Sequence, residues 1–212
     1  MTVNQVEVNA LEQDALEILS LVRSVKNLFA PVNRISPEIL SRTPDYYSEG
    51  GTDQDLLALT HVCRSWRNTF ASRPSLWTRL DLRNVDKTTT YIQRSKSSPL
   101  KLYLDKNRDD TYPYDTFSLV APHIHRLKSL VVRAGVLPDG IRRFRCHAPL
   151  LENLEIRIAG SHTPVLDSTL FRGDLSSLRK LSLGGVITYL PWNNLTNLTT
   201  FELKSCLPGA NS

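Results

Sequence analysis

The sequence predicts a protein of the α+β class built of several parts, with helices in its N-terminal third and an irregular α/β repeat with short parallel strands in the remainder. Two observations predict this. Between Val8 and Phe29, apolar residues recur every three or four positions, which is the period of a helix. From Leu80 onward, a pattern close to Leu-x-x-Leu-x-Leu recurs in six stretches. The 212 residues, of which 41% are hydrophobic, suffice for one mid-sized domain or two small ones.

The first part, residues 1–30, is predicted to be an amphipathic or coiled-coil-like helix that Pro31 ends. Its apolar residues are spaced alternately by three and four, and these seam residues are Val8, Leu11, Ala15, Ile18, Val22, Val25 and Phe29. Two interpretations fit this pattern. The helix either mediates self-association of the chain or packs on the neighbouring domain.

The second part, residues 31–77, is predicted to contain three short helices. Ser36 is a suitable N-cap for a helix with Pro37 at its first position, and Gly50-Gly51 marks a loop. Apolar residues between Leu56 and Trp66 then form one face. Because about forty residues cannot bury all of this apolar surface by themselves, part of it should contact a partner or the next domain.

Three motifs in this second part resemble an F-box: I35-S-P-E-I-L40, V62-C-R-S-W-R67 and P74-S-L-W77. The sequence of these motifs is similar to that of fungal, especially mushroom-type, F-box-like proteins, although Ser36 stands where the family usually has proline. The resemblance implies a three-helix module that docks on the Skp1 adaptor, and through it on the cullin, of a ubiquitin ligase. It implies Skp1 contacts for eight residues, with Trp66 also packing the module: Ile35, Pro37, Ile39, Leu40, Leu57, Val62, Cys63 and Trp66.

The third part, residues 78–212, is predicted to be an irregular leucine-rich-repeat solenoid. The six stretches align on central residues that are 20 to 28 positions apart: Leu80, Leu102, Leu130, Leu154, Leu181 and Phe201. Each Leu-x-Leu should point two side chains into the core and one outward, and stacking should pair the strands in parallel. The expected outward residues are Asp81, Tyr103, Val131, Glu155, Ser182 and Glu202.

Four of these outward residues are the candidates for contact with a target protein: Tyr103, Val131, Glu155 and Glu202. The segments Val136–Pro149 and Pro164–Ser177 should form short helices or loops on the other side. The last strand should leave an exposed edge, so we expect the repeat to be incomplete at its C-terminus.

Enzymatic motifs for phosphate binding, nucleophilic catalysis or zinc are absent from the sequence, so no catalytic residue, cofactor or metal is predicted. His123-x-His125 lacks a third ligand with convincing spacing. No apolar run is long enough to span a membrane, and the N-terminus is polar and acidic rather than secretory. With three widely spaced cysteines, the sequence indicates a reduced compartment, cytoplasmic or nuclear.

Three functional hypotheses follow. The chain is a substrate-recognition adaptor of a Skp1-cullin-F-box (SCF) ligase, or it is a leucine-rich-repeat interaction protein in which the F-box-like helices are only a structural cap. The unusual Ser36 favours the second hypothesis. A third, nucleic-acid binding, starts from the 18 basic and 12 acidic residues of residues 81–212. Glu155 and Glu202 on the predicted outward face argue against it.

Overall fold

The computed structural model describes residues 4–36, 38–40, 42, 53–105, 112–160, 162–189 and 194–204. By its internal contacts the chain divides into two compact units, Met1–Ser72 and Arg73–Ser212. The regular elements described in the first unit are all helices, whereas the second unit combines helices with a parallel sheet. The fold is therefore a mixture of helix and sheet that begins with a long helix. The three-part division at residues 30 and 77 stays a prediction.

The N-terminal helix α1 runs from Gln5 to Phe29, in agreement with the apolar period. Asn4 caps it, because its side chain accepts from the Val6 N–H while the Glu7 carboxylate accepts from the Asn4 N–H. The helix ends before Pro31, which opens a 3-10 turn, Pro31–Arg34. Residues 38–40 and 42 are helical, and α2 (Asp53–Thr60) and α3 (Arg64–Ala71) follow.

The second unit carries its elements in an order that alternates strands with helical segments. The strands are β1 (Arg79–Leu80), β2 (Leu100–Asp105), β3 (Leu127–Ala134), β4 (Asn153–Ile158), β5 (Val165–Leu166), β6 (Lys180–Gly184), β7 (Ile187–Thr188) and β8 (Thr200–Lys204). The α-helices are α4 (Val85–Ser95) and α5 (Tyr114–Val120). The 3-10 helices are Pro74–Trp77, Ala121–Arg126, Asp139–Arg143 and Leu170–Gly173.

Six strands form one parallel sheet in the order β1-β2-β3-β4-β6-β8. The predicted central residues pair directly across it, from Leu80 with Leu102 to Leu181 with Phe201. The alignment of the six stretches is thereby confirmed as a strand register. Side chains on the inner face are buried except on β8, where Phe201 and Leu203 remain exposed.

Aromatic side chains fill the layer behind the sheet. Phe117, Phe144 and Phe171 are fully or almost fully buried, with ring centroids 6.0 and 6.4 Å apart. They come from successive connections and are each 27 residues apart in sequence. Trp77 and Tyr91 meet edge to face at 5.0 Å beside β1. These contacts give the core an aromatic row that the leucine pattern alone did not predict.

The connections between strands follow the prediction in part. Val136–Pro149 contains a 3-10 helix, as expected, whereas Pro164–Ser177 also holds the short strand β5, which pairs in parallel with β7. His123 and His125 lie in the 3-10 helix Ala121–Arg126. Two-residue strands carry too little periodic signal to be found from sequence.

One buried arginine closes the end of helix α4. Arg126 donates to the Ser95 hydroxyl at 3.0 Å and to the carbonyls of Ser98 and Ile92 at 2.9 and 3.4 Å. The last carbonyls of a helix lack intrahelical donors, and a guanidinium group satisfies them while matching the negative end of the helix dipole. Arg126 therefore ties α4 to the connection that precedes β3.

Candidate partner-binding surfaces

The F-box-like helices in the first unit are organised around two aromatic residues one helical turn apart. Trp66 and Phe70 on α3 meet edge to face at 5.7 Å, and both are buried. Arg67 donates through Nε to the carbonyl of Thr60, the last residue of α2, at 3.1 Å. The i, i+4 spacing puts both aromatic rings on one side of α3.

The short helix at residues 38–40 begins as the sequence predicts. The Leu40 N–H donates to the Ser36 carbonyl at 2.9 Å, as expected when Ser36 is the N-cap. The pKa of the Glu38 carboxyl lies below its ordinary value because its own backbone N–H, and then the Ser36 hydroxyl, donate to it. Ser36 thus provides capping contacts that a proline at that position cannot make through its side chain.

The eight predicted Skp1 contacts fall into three groups. Four apolar side chains are exposed, namely Ile35, Ile39, Leu57 and Val62, with Ile39 at 63% and Val62 at 51%. Cys63 is half-buried. Leu40 and Trp66 are buried, with 4% and 9% of their surface exposed. Pro37 lies outside the described residues.

Ile39 and Leu40 are adjacent apolar residues for which the motif predicts the same contact with Skp1, but they differ in burial. Neighbouring residues on a helix point about 100° apart, so Ile39 faces solvent while Leu40 packs inside. The contact predicted for Leu40 would require the module to open, whereas Trp66 packs the module as expected. The sequence motif did not distinguish the two groups because it records residue type and spacing, not the neighbours that cover each side chain.

A second surface is the outer face of the parallel sheet. Its middle row is continuous, since the strand registers align five residues side by side: Tyr103, Val131, Glu155, Ser182 and Glu202. The four predicted target contacts thus lie in one row. Tyr103 and Glu202 are half-exposed, but Val131 and Glu155 are buried, so their predicted role in direct contact requires the covering side chains to move.

Glu155 sits between two arginines on this face. Arg133 Nε lies 2.9 Å and Arg157 Nε 3.0 Å from the same oxygen, Oε1. Arg157 also approaches Glu202, with Nη2 3.7 Å from Oε2, and the Ser182 hydroxyl donates to that oxygen at 3.2 Å. A chain of polar contacts therefore links β3, β4, β6 and β8.

The ionised form of Glu155 is favoured at this position. Burial raises the pKa of the Glu155 carboxyl, but the hydrogen bond and charge of Arg133, with the charges of Arg157 and Lys180, together outweigh burial and hold the pKa below its ordinary value. In turn, the hydrogen bond to Glu155 raises the pKa of Arg133. Both shifts favour the ionised forms of Glu155 and Arg133.

Cations outnumber carboxylates among the outward strand residues of the sheet. The basic residues are Arg79, Lys101, Arg133, Arg157, Lys180 and Lys204, and the acidic ones are Asp105, Glu155 and Glu202. Arg79 lies over the Tyr103 ring, 4.4 Å from its centroid. The face is net positive, with an aromatic ring near one edge.

Other features of the described residues point to neither metal binding nor a membrane span. No group of three or more His, Cys, Asp or Glu residues suited to a metal ion occurs among them. Burial, followed by the charges of Arg126 and His125, lowers the pKa of His123. Within the described part of the chain, every helix is too short or too polar to cross a membrane.

Comparison with known proteins gives one match. A family model described as F-box-like matches residues 38–83, which include helices α2 and α3 and the first strand. No curated protein and no solved structure matches the chain. The chain thus contains an F-box-like domain, a kind of domain that generally binds Skp1-type adaptors, and this indicates a protein-interaction adaptor.

Proposed function

We propose that this protein is a substrate-recognition adaptor of an SCF ubiquitin ligase. The observation that carries the proposal is the F-box-like match at residues 38–83 together with the exposed apolar side chains Ile39, Leu57 and Val62. Exposed apolar residues at the positions where the family contacts Skp1 are what such docking requires. The adaptor acts in the cytoplasm or nucleus and joins a cullin through Skp1.

The second unit holds the target in this proposal. We regard it as an irregular leucine-rich-repeat solenoid of the kind found in fungal F-box-like proteins, supported by parallel strands whose central residues are 20 to 28 positions apart. Target contact falls on the outer sheet face, with Tyr103 and Glu202 reaching the partner directly. Val131 and Glu155 lie beneath and hold the surface in shape.

The mechanism is scaffolding and requires no catalytic residue, cofactor or metal in this chain. Binding Skp1 with one unit and a target with the other raises the effective concentration of the target near the ligase's conjugating enzyme. This role uses two binding surfaces, one apolar and one charged. We therefore expect Skp1 binding to be tolerant of salt and target binding to depend on it.

The test is a pull-down of Skp1 by the full-length chain at low and high salt. Ile39→Asp and Val62→Asp place a charge on exposed positions of the module. Val136→Asp is the matched control, since Val136 is exposed at 72% but lies far along the chain in the second unit. We expect salt-tolerant binding that the first two variants reduce at least about tenfold and the control leaves unchanged.

Failure of the folded wild-type chain to bind Skp1 at either salt concentration would reject this function. It would favour the structural-cap hypothesis, in which the F-box-like helices only cover the repeat and the outer sheet face is the functional surface. Circular dichroism of each variant separates lost binding from lost folding. Because both substituted positions are exposed, we expect the charged variants to stay folded.

A further inference from the structure

Helix α1 leaves its apolar stripe uncovered. None of its 25 residues is buried, and the exposed fractions along the seam include 67% at Leu11, 65% at Ile18 and 71% at Phe29. In proteins, most of the stability of a helix comes from packing of its apolar face. The stripe therefore requires a partner.

The rest of the first unit contacts α1 on the side away from the seam. Ser20 and Ser24 are half-buried, and Arg64 donates to the Ser20 hydroxyl at 2.8 Å. A cleft between the two segments is lined on α1 by Leu16, Leu19, Ser20 and Ser24, and on its other side by residues that include Arg64 and Arg67. Ser20 lies about 160° around the helix from Ile18. The contacts of α1 with the rest of the unit thus fall outside the seam, which stays exposed.

We propose that the stripe binds the same stripe of a second copy of this chain, in an antiparallel pair of α1 helices. The distribution of charge along α1 favours a second copy as the partner and an antiparallel orientation of the two helices. All four carboxylates of α1 lie in its N-terminal two thirds and both basic residues in its C-terminal third: Glu7, Glu12, Asp14, Glu17, Arg23 and Lys26. Antiparallel pairing brings the acidic part of each helix to the basic part of the other.

The heptad positions determine which charged residues lie next to each other in the two possible orientations. In a parallel pair, Glu7 of one copy would flank Glu12 of the other, twice, and these like charges repel. In an antiparallel pair, Glu12 of each copy flanks Lys26 of the other, also twice. Charge therefore opposes the parallel arrangement and favours the antiparallel one.

The same antiparallel register matches side-chain sizes across the seam. Its layers, each occurring twice by symmetry, pair Leu11 with Phe29, Ala15 with Val25 and Ile18 with Val22. Leu21 of one copy flanks Leu21 of the other. A small residue thus faces a larger one at the Ala15 layer, and six successive layers are apolar throughout.

The first experiment measures the mass of the full-length chain by sedimentation equilibrium over about a hundredfold range of concentration, without Skp1. We expect a monomer–dimer equilibrium. Ile18→Asp should shift it to monomer, while Gln13→Asp, which places the same residue at an exposed position outside the seam, should leave it intact. A monomer at every concentration would overturn the proposal and point to another partner for the stripe.

The second experiment determines direction. Glu12→Lys should weaken an antiparallel dimer on the order of tenfold, because two attractions become two repulsions. Adding Lys26→Glu to the same chain should restore the affinity. Tighter dimerisation of Glu12→Lys alone would overturn the antiparallel arrangement, since that change removes the repulsion present in a parallel pair. Neither result depends on the proposed binding of Skp1.

Discussion

Arg133 Nε lies 2.9 Å from Oε1 of Glu155, across the neighbouring strands β3 and β4. The Glu155 side chain is only 8% exposed, and Arg157 approaches the same oxygen from the same strand. The Arg133 contact is aligned as a hydrogen bond, whereas the Arg157 contact is an ion pair by distance. Because an unpaired buried carboxylate is costly, the outer face depends on this pairing.

Glu155→Gln tests the pairing. It should lower the free energy of unfolding by about 1–3 kcal/mol, because two guanidinium groups lose their shared carboxylate at a position with little access to water. Urea unfolding at neutral pH measures the loss. The control is Glu152→Gln, whose ion pair with Lys128 is exposed on both sides and should contribute less than about 0.5 kcal/mol. Equal losses in the two variants would contradict the prediction.

The contribution of Glu155 should disappear at acid pH. Its folded-state pKa lies below its ordinary value, so the stabilisation is complete above the unfolded-state pKa of about 4.3 and is lost as the pH falls through the folded-state pKa. The difference in unfolding free energy between wild type and Glu155→Gln should therefore be constant from pH 7 to about 5 and shrink below about 4. Urea titrations at several pH values check this, and an unchanged difference at pH 3 would exclude the assignment.

Gly140→Ala should destabilise the second unit. Gly140 is buried, and a Cβ there would overlap the ring of Phe117, itself packed against Phe144. The ring cannot yield without disturbing the aromatic row, so we expect a loss of about 1–3 kcal/mol in thermal or urea unfolding. Gly135→Ala is the matched control because a Cβ at Gly135 meets nothing within 4 Å. A neutral Gly140→Ala would show that the aromatic layer is loosely packed.

Arg126→Met should cost about 2–3 kcal/mol of unfolding free energy. The variant keeps most of the side chain's apolar volume but leaves the carbonyls of Ser98 and Ile92 without this donor, in a partly buried setting. Arg142→Met is the comparison, since Arg142 is exposed and its nearest ion-pair contact is 3.9 Å long. A loss confined to Arg126→Met in chemical unfolding would support the capping role, and equal effects would refute it.

Folding and partner binding should separate within the F-box-like module. Phe70→Ala empties a fully buried position and should cost about 3–5 kcal/mol, so Skp1 binding is lost together with the fold. Val62→Asp changes an exposed side chain and should lose binding while the unfolding free energy changes by less than about 0.5 kcal/mol. Measuring both quantities on both variants distinguishes the roles. Strong destabilisation by Val62→Asp would show that it packs the module.

Sequence periodicity was most informative where one residue type recurs at regular spacing. The leucines of the repeat predicted the register of the parallel sheet, and the seam of α1 predicted its extent to Phe29. Periodicity did not reveal β5 and β7, which are two residues long, or Arg126, two of whose three partners are backbone carbonyls that carry no residue signature. The 27-residue spacing of three phenylalanines was a usable signal for the aromatic row.

The sequence by itself determined two things. It determined which central residues pair across neighbouring strands, and it contained the F-box-like motif with its residues in the order typical of that family. These follow from local spacing, because helix and strand periods convert position in the chain into a face. Only the tertiary structure decided which faces are covered. It buried Leu40 beside the exposed Ile39, placed Glu155 between Arg133 and Arg157, and left the α1 stripe open. Burial depends on neighbours distant in sequence, which no local pattern encodes.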